Sequence, residues 1–433
     1  MLPTSDAGLV RAIGARQLTA SIINVTIGAG IFVLPAVAAA GLGAAAPIAY
    51  IVCASLMSLI VCCFAAAGSR VSLTGGLYAY VEVAFGPFVG FLAGVLYFFM
   101  ALFAVASVSS AFAGSVSAVW PAAGSPAART VLIAALFAIL ASVNVLGVKR
   151  GVRLVEVVTV AKLLPLLILV ACGIWFVNPE FLRWPGMPPI SDVGKTAIVL
   201  IYAFVGVEIA LVPSGEVRDP ARTVPRAVLA ALLTTTTLYL LVQGVAQGLL
   251  GPAMTNYATA PLAEAARRVL GERGRLLVLL GAIVSMFGYV SGDMLGSPRT
   301  LFAFARDGVL PSALERIHTR FHTPYIAIIV YACIVATVSI SSSFTQLAVL
   351  ANVTALTLYL MCVAASVELQ RRDVRSDGAI PFSVPGGPVI PILAAAVILW
   401  LLSNATRREF GVEALLLAVA SMFYLIRKTG GQF

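Results

Sequence analysis

Three ionisable residues stand inside long apolar stretches of the chain: Lys162, Glu208 and Asp293. A charged side chain near the middle of a bilayer costs about 2.5–3.5 kcal/mol on insertion scales, so each is expected to face a cavity or a partner. Lys162 can place a fixed positive charge between helices, and Glu208 can carry a proton. Asp293 can bind a polar or cationic group, or it can pair with Lys162 or a hydroxyl. The structural alternatives are a lysine that snorkels along its helix and a glutamate that stays protonated on the backbone.

Two glycine-containing segments inside apolar runs can bind a polar solute. The first is Gly28-Ala29-Gly30, and the second is residues 202–208 (YAFVGVE). Glycine costs about 1 kcal/mol in a helix interior, and its presence at two corresponding places indicates a pair of interrupted helices in an internal repeat. An interruption exposes backbone N–H and C=O groups that lipid cannot satisfy. A ligand or a water-filled cavity must therefore bind them.

The chemistry of such a pair fits a zwitterion. The helix that restarts at Gly30 offers N–H donors and the positive end of its dipole to a carboxylate. The carbonyls before the interruption suit an ammonium group. Together these groups predict a site for the α-amino and α-carboxyl groups of an amino acid. The alternative is that Gly28, Gly30 and Gly206 only allow close packing of helices.

The composition indicates that membrane helices position these residues. Of the 433 residues, 61% are hydrophobic and 11% are charged, whereas a globular domain has about 25% charged residues. The mean hydropathy is +1.03. The apolar runs are continuous, unlike the alternating strands of a membrane β-barrel. The net charge of +10 fits Lys and Arg on cytoplasmic loops better than nucleic-acid binding.

Twelve apolar windows predict an all-α polytopic membrane protein with twelve transmembrane helices in one domain, residues 1–433. The expected location is the cell (inner) membrane with both termini cytoplasmic, because this orientation places most Lys and Arg on the inner side. Residues 251–275 are expected to form a short helix across the outer mouth. The windows lie at about residues 17–41, 44–68, 86–116, 128–147, 152–177, 193–215, 227–250, 274–304, 324–341, 345–368, 388–403 and 410–427.

Motifs of enzymes and ATP-driven pumps are absent from the sequence. The two histidines, His318 and His322, share one loop and form no metal-ligand pattern. Residues 194–196 (GKT) lack the upstream glycine of a phosphate-binding loop. No catalytic residue, metal or cofactor is expected. A carrier is favoured over a channel, since no repeated ring of pore-lining groups is visible, and over a receptor, since no signalling domain is visible.

Four groups of motifs, in order along the chain, resemble the amino acid/polyamine/organocation transporter superfamily. The first, residues 28–32 (GAGIF), is similar to the small-residue substrate motif of that family. The last resembles the eighth helix and its loop in cationic and L-type amino acid transporters. The other segments are residues 75–80 (GGLYAY) with 84–86 (AFG), residues 202–208 with 215–220 (GEVRDP) and 224–227 (VPRA), and, in the last group, 298–299 (PR), 305–311 (ARDGVLP) and 323–324 (TP).

The resemblance implies a LeuT-like fold of two inverted five-helix repeats, at about residues 17–177 and 193–368, with two additional helices at about 388–427 and with helices one and six discontinuous. It also implies a secondary active amino acid transporter that works by alternating access, with its site between helices one, three, six and eight. The expected substrate-binding residues are Ile27, Gly28, Ala29, Gly30, Tyr202, Ala203, Phe204, Val205, Gly206 and Asp293, and the expected coupling residues are Lys162 and Glu208.

The resemblance also suggests roles for single residues. Family members with a lysine at the place of Lys162 are similar to sodium-independent transporters, in which the ammonium replaces a bound sodium between helices one, five and eight. Glu208 matches a family carboxylate proposed to sense protons. In arginine/agmatine antiporters an aromatic residue of helix six covers the substrate, and Tyr202 or Phe204 takes that place here. The expected partners are thus an amino acid, protons and the lipid bilayer.

Two departures from the antiporters argue against arginine exchange. The third helix, around residues 97–110, lacks the Asn and the second aromatic residue that hold a guanidinium, and Asp293 stands where their eighth helix carries an aromatic residue. The prediction is a proton-coupled or exchanging amino acid transporter, with a polyamine or cationic amine antiporter as the alternative. The sequence leaves open the substrate, symport or antiport, and monomer or homodimer.

Overall fold

The computed structural model describes residues 14–71, 77–146, 151–207, 217–218, 220–306, 310–375, 381–382, 384 and 386–429. Within these ranges the chain forms fourteen α-helices joined by turns and short 3-10 segments. This confirms the all-α class. The helices are α1 (Ala15–Thr26), α2 (Gly30–Leu42), α3 (Ala46–Gly68), α4 (Leu77–Phe85), α5 (Pro87–Val119), α6 (Pro126–Leu146), α7 (Gly151–Gly173), α8 (Ile190–Leu200), α9 (Pro220–Leu250), α10 (Pro261–Arg306), α11 (Tyr325–Ser341), α12 (Phe344–Arg371), α13 (Val389–Leu402) and α14 (Arg407–Thr429).

Several helix ends follow local sequence signals. Helix α12 begins with a capping box, in which the amide of Gln346 donates to Ser343 Oγ at 3.3 Å and the amide of Ser343 donates to Gln346 Oε1 at 3.1 Å. Helix α5 begins at Pro87, which lacks the N–H that would otherwise go unpaired there. Gly86 precedes it with φ of +91°, a conformation that glycine adopts readily. These signals separate α4 from α5.

The described helices fit a multi-pass membrane protein. Seven helical segments of the described ranges are long and apolar enough to cross a bilayer, and three further apolar helices are shorter. A helix lies in each of the twelve apolar windows. Twelve crossings, the inverted repeats and the side of each terminus stay predictions.

The first membrane helix is interrupted where its glycines predict. Helix α1 ends at Thr26 and α2 begins at Gly30. Between them the amide of Ile27 still donates to Ile23 O, but the amide of Gly28 turns to Thr26 O, both at 3.0 Å. The regular hydrogen-bond ladder is therefore lost over residues 27–29.

Helix α8 also stops inside its apolar run. It ends at Leu200 and continues as one 3-10 turn, Ile201–Ala203. Gly206 then has φ of +114°, which an L side chain rarely adopts. Residues 208–216, which include Glu208, lie outside the described residues, as do residues 72–76 and 307–309. The predicted second half of this helix is thus not part of the described structure.

The predicted short helix of residues 251–275 forms only in part, since Gly251–Tyr257 is a 3-10 segment and Pro261 begins the first arm of the longer helix α10. Gly271 has φ of +65° and ψ of −160° and kinks this helix. Leu262, Ala265 and Ala266 lie before the kink and are buried. The helical spacing of these apolar residues is therefore confirmed.

Continuous helices enclose the two interruptions. Helix α9 packs against α1, α3 and α7, while α10 packs against α5, α7 and α11. Helix α2 packs against both α8 and α10. The interrupted segments therefore lie between α9 on one side and α5 with α10 on the other, and the cavity described below opens there.

Candidate functional site

A small cavity lies between the two interruptions. Its walls come from both interrupted segments, from α5 and from α10. Small and apolar side chains predominate, and two tyrosines add polar hydroxyls. The lining residues are Val25, Thr26, Gly28, Ala29, Gly30, Ala104, Val108, Tyr202, Val205 and Tyr289.

The two interruptions touch each other directly. A Cβ atom at Gly30 would lie 3.4 Å from Ala203 Cα, and a Cβ atom at Gly206 would lie 3.2 Å from Val25 Cγ1. The contact at Gly206 is tighter than ordinary van der Waals contact, and the one at Gly30 lies at its lower limit. The glycines therefore serve close packing, the alternative that the sequence left open, and at the same time they line or adjoin the cavity.

The N-terminus of α2 faces the interruption from one side. Its first amides, from Gly30 and Ile31, have no acceptor within their own helix, because the first four N–H groups of any α-helix lack one. They add to the positive end of the helix dipole. This end of the cavity can bind a carboxylate.

The carbonyls at the end of α1 already have donors. Lys162 Nζ donates to Ile27 O at 2.9 Å and also to Asn24 O. The hydroxyl of Tyr239, on α9, lies 3.1 Å from Thr26 O and 2.7 Å from Ala203 O. The sequence predicts that such carbonyls suit an ammonium, and here the ammonium that they bind is the chain's own.

Lys162 is a buried lysine whose amino group is held by backbone rather than by a carboxylate. Its exposed fraction is 5%, and no ion pair joins it to Asp293 or to another acid within the described ranges. The carbonyl oxygens that it contacts lie at the last turn of α1 and in the interruption. The charge therefore depends on the interrupted geometry of this helix.

Of the two aromatic residues proposed to cover the substrate, Tyr202 is the one at the cavity. Its hydroxyl lies 3.0 Å from Ala104 O and also bonds the Ser107 hydroxyl, both on α5. Phe204 is fully buried and packs its ring edge-on against Tyr239, with centroids 5.4 Å apart. Tyr202 thus bridges α8 and α5 across the cavity.

The model of the amino acid permease family matches residues 13–411 of the chain. The chain belongs to the amino acid permease family. This agrees with the superfamily resemblance of the motifs.

Curated relatives of this permease are transporters of several solutes. The methylthioribose transporter of Bacillus subtilis (strain 168) is 28% identical over 443 residues, which cover 98% of this chain and 94% of the relative. The serine/threonine exchanger SteT of the same organism is 29% identical, with 91% and 90% covered. Its branched-chain amino acid permease BcaP is 26% identical, with 93% and 89% covered. The matches are to permeases and transporters rather than to enzymes.

The permease holds Asp293 away from the cavity wall. Its Oδ2 accepts a hydrogen bond from the Tyr331 hydroxyl and its Oδ1 accepts one from Ser297 Oγ, both at 2.6 Å. Asp293 is half-buried, one helical turn along α10 from Tyr289, which lines the cavity. Pairing with a hydroxyl was one of the alternatives that the sequence left open.

The other predicted residues fall into three groups. Five line the cavity: Gly28, Ala29, Gly30, Tyr202 and Val205. Four are buried in the interruptions without lining it: Ile27, Ala203, Phe204 and Gly206. Glu208 lies outside the described residues.

The residues missed by the sequence analysis include three polar ones on continuous helices. Tyr239 joins the two interruptions, and Tyr289 lines the cavity. Asn352, on α12, donates from Nδ2 to Ile198 O at 2.7 Å and so binds the end of α8. Polar residues inside apolar helices are the signal that could have identified them, since such residues are costly there.

Proposed function

We propose that this permease is a secondary active transporter of small neutral amino acids that works by alternating access, without sodium, and with protons or by exchange. Its fold would comprise twelve crossings with two inverted repeats at about residues 17–177 and 193–368, and both termini would be cytoplasmic. The observation that carries the proposal is the cavity shared by two interrupted helices, because such interruptions form the substrate sites of transporters built from inverted repeats.

The backbone suggests how a zwitterion would be oriented. The carboxylate would bind the first amides of α2, at Gly30 and Ile31, where donors and dipole favour a negative charge. The α1 carbonyls of Asn24, Thr26 and Ile27 already hold Lys162 and Tyr239. The substrate ammonium would therefore bind the backbone of the second interruption, which reaches the cavity at Tyr202 and Val205.

The lining favours a small, uncharged substrate side chain. Val25, Ala104, Val108 and Val205 are apolar, and no ionised side chain is among the lining residues described. Burying an unpaired charge among such residues is costly. This supports neutral amino acids such as serine and threonine or the branched-chain ones, the solutes named for two relatives.

Lys162 supports sodium independence. Its ammonium occupies carbonyl oxygens of the kind that coordinate hard cations such as sodium. A fixed lysine can replace the mobile ion and still lose a proton when its surroundings change. In this proposal, release of that proton loosens Lys162 from α1 and lets α1 move. Glu208 remains the predicted second proton carrier.

The cationic amine antiporter is the alternative, and it depends on Asp293. This carboxylate would have to turn from Ser297 and Tyr331 towards the cavity to read an ammonium. The observed contacts occupy both of its oxygens, so they favour the neutral amino acid. Lysine, ornithine and putrescine would separate the two functions as competitors.

Counterflow in proteoliposomes tests the proposed function. Vesicles with purified permease are loaded with one unlabelled amino acid, starting with L-serine, L-threonine and L-leucine, and uptake of trace label is followed in sodium-free buffer. A carrier gives a transient overshoot, whereas a channel or a non-transporting receptor does not. Labelled methylthioribose is run in parallel, because one relative is named for that solute. Counterflow of that solute alone would contradict an amino acid substrate.

A further inference from the structure

Helix α9 carries a row of polar residues that the site described above does not use in full. Thr235, Tyr239, Gln243 and Gln247 follow one another at intervals of four residues, so they lie along one slanting face of the helix. The first and the last are twelve positions apart, or about 18 Å along the helix. These four residues are called the polar stripe below.

The polar stripe is buried inside the permease. The exposed fractions of Thr235, Tyr239, Gln243 and Gln247 are 1%, 2%, 0% and 4%. In a helix that crosses a membrane, polar side chains usually bond one another, the backbone or water. Their position inside the helix bundle therefore raises the question of what satisfies their polar atoms.

Only part of the polar stripe is satisfied by protein. Tyr239 bonds the two interruptions, and Gln243 Oε1 lies 3.4 Å from the Tyr50 hydroxyl on α3. Within the described ranges, no hydrogen-bond partner is found for Thr235 Oγ1, Gln243 Nε2 or Gln247 Oε1.

Neighbouring threonines of α9 have hydrogen-bond partners, so a missing partner is not a general property of the helix. Thr234, Thr236 and Thr237 each donate to the carbonyl four residues earlier in α9, at 2.8, 2.7 and 2.8 Å. Thr235 stands among them, is more buried than they are and makes no such bond. Its hydroxyl is therefore free for a partner that is not part of the helix.

The row of unpaired atoms reaches the cavity at one end. Thr26 lines the cavity, is 4% exposed, and its Oγ1 also lacks a partner among the described residues. The Thr26 carbonyl is the oxygen that Tyr239 contacts at 3.1 Å. The polar stripe and the cavity therefore meet at the interruption of α1.

The other end of the polar stripe lies near the end of α9. Arg268 is exposed, and its guanidinium donates to Leu249 O at 2.7 Å, two residues beyond Gln247. The proposed topology places this end of α9 on the outer side. The row of unpaired atoms thus runs from near the outer surface to the middle of the membrane.

We propose that the polar stripe holds a file of water molecules that conducts protons between the outer side and the interruption of α1, where Lys162 is bound. Buried waters bind polar groups that the protein leaves unsatisfied, and Thr235 Oγ1, Gln243 Nε2 and Gln247 Oε1 are groups of this kind. The inference rests on the proton coupling proposed above and names its route.

The proton balance of this route is simple. Each water accepts a proton on one lone pair and passes another to the next water, so only O–H and N–H bonds form and break. The amides of Gln243 and Gln247 orient the waters. Of the described titratable groups on helices packed against α9, Tyr50 on α3 contacts the polar stripe, and Lys162 on α7 contacts the interruption that the polar stripe reaches. The neutral amine of Lys162 is the final acceptor and becomes an ammonium.

Hydroxyl-radical footprinting of the full chain in lipid nanodiscs tests for the water directly. Radicals generated from bound water modify adjacent rings even when these are shielded from bulk solvent. Tyr50 and Tyr239 are compared with Tyr359, an equally buried ring of α12 that packs edge-on against Phe64. We expect modification of Tyr50 and Tyr239 to be about tenfold faster than that of Tyr359. Equal rates for the three rings would overturn the proposal.

A pair of adjacent variants tests whether the water carries protons. Thr235→Val removes an unpaired hydroxyl, and Thr236→Val removes a hydroxyl bonded within its own helix. For each variant, accumulation of L-serine or L-leucine driven by a pH gradient is divided by its counterflow rate without a gradient. The ratio should fall about tenfold or more in Thr235→Val, because positioned proton-transfer groups contribute factors of about 10² to 10⁴, and it should be unchanged in Thr236→Val.

The outcomes separate this inference from the proposed function. Equal ratios in the two variants and the wild type, or a wild type that counterflows without responding to the pH gradient, would overturn the proton route while amino acid transport stands. A wild type without counterflow would contradict amino acid transport, and the footprint would still decide whether the polar stripe holds water. Gln243→Leu removes the unpaired Nε2 together with the acceptor of the Tyr50 hydroxyl, and it should lower the ratio as Thr235→Val does.

Discussion

Lys162 and Asp293 are both charged residues within apolar helices, but the permease stabilises them in different ways. Lys162 donates to carbonyls at the interruption of α1. In an unbroken helix these carbonyl oxygens would accept hydrogen bonds from backbone N–H groups. Asp293 accepts from two side-chain hydroxyls of α10 and α11, which are continuous around it. The lysine therefore depends on the same backbone interruption as the cavity, whereas the aspartate does not. Substitutions of Lys162 should alter transport, and substitutions of Asp293 should alter mainly stability.

The largest effect is expected for Lys162→Ala. It leaves buried carbonyls without their donor, at about 1–3 kcal/mol each, and it removes the charge that holds α1. Initial uptake of amino acid into proteoliposomes should fall by about tenfold or more. Lys195→Ala is the control, because that ammonium is exposed and lies 3.9 Å from Asp192. Wild-type rates and proton dependence in Lys162→Ala would remove this lysine from coupling.

A second test exchanges glycines inside and outside the interrupted regions. Gly206 has φ of +114°, and a Cβ there would lie 3.2 Å from Val25 Cγ1, so Gly206→Ala should destabilise the protein by about 1–3 kcal/mol and lower uptake. Gly292 lies in α10, and a Cβ there would have no atom within 4 Å. Gly292→Ala should therefore stabilise the protein by up to about 1 kcal/mol. Thermal unfolding in detergent measures both. Shifts of the same sign would contradict the backbone account of the interruption.

The expected effect of Asp293→Asn is smaller and of a different kind. Bonds to a charged acceptor contribute about 1.5–3 kcal/mol and neutral ones about 0.5–1.5 kcal/mol, so stability should fall by about 1–2 kcal/mol. The order in which amino acids compete for uptake should not change, because Asp293 does not line the cavity. A selective loss of competition by lysine or putrescine would instead show that the carboxylate reads the substrate.

The smallest effect is expected at an ion pair outside the membrane helices. A hydrogen bond from Arg375, assisted by Arg70, lowers the pKa of Asp373. A carboxyl whose pKa is lowered by folding stabilises the protein above its unfolded pKa of about 3.9, and this contribution is lost as the pH falls through the lower folded value. Asp373→Asn should therefore change the unfolding temperature little, and by the same amount, across the neutral range. A difference that grows between pH 6 and 8 would show that another group is involved.

The sequence was sufficient for those features that a local pattern determines. Gly28, Gly30 and Gly206 stand in apolar runs where glycine is unfavourable, and the structure interrupts or strains the backbone beside each of them. The length and apolarity of the windows predict the all-α class. Lys162 was recognisable because a lysine inside an apolar run requires a partner.

Contacts between distant helices could not be read in this way. Tyr239 bonds a carbonyl 213 residues away, at Thr26, and only the packing of α9 against α1 makes that contact possible. The sequence showed carbonyls suited to an ammonium, but not that Lys162 and Tyr239 already occupy them. It also left Tyr202 and Phe204 equivalent, because the direction of a side chain within an interrupted segment follows no helical period.

In the proposed site the interruptions bind both charged ends of an amino acid, and competition for counterflow among related compounds is the sharpest test of this binding. The best counterflow substrate is challenged with three compounds that share its side chain: the amino acid itself, the amine without the carboxylate, and the acid without the amino group. The amino acid should inhibit at least about 100-fold more strongly than either analogue, since each lost charged contact is worth about 3 kcal/mol. An amine that competes as strongly as the intact amino acid would show that the site does not bind the carboxylate.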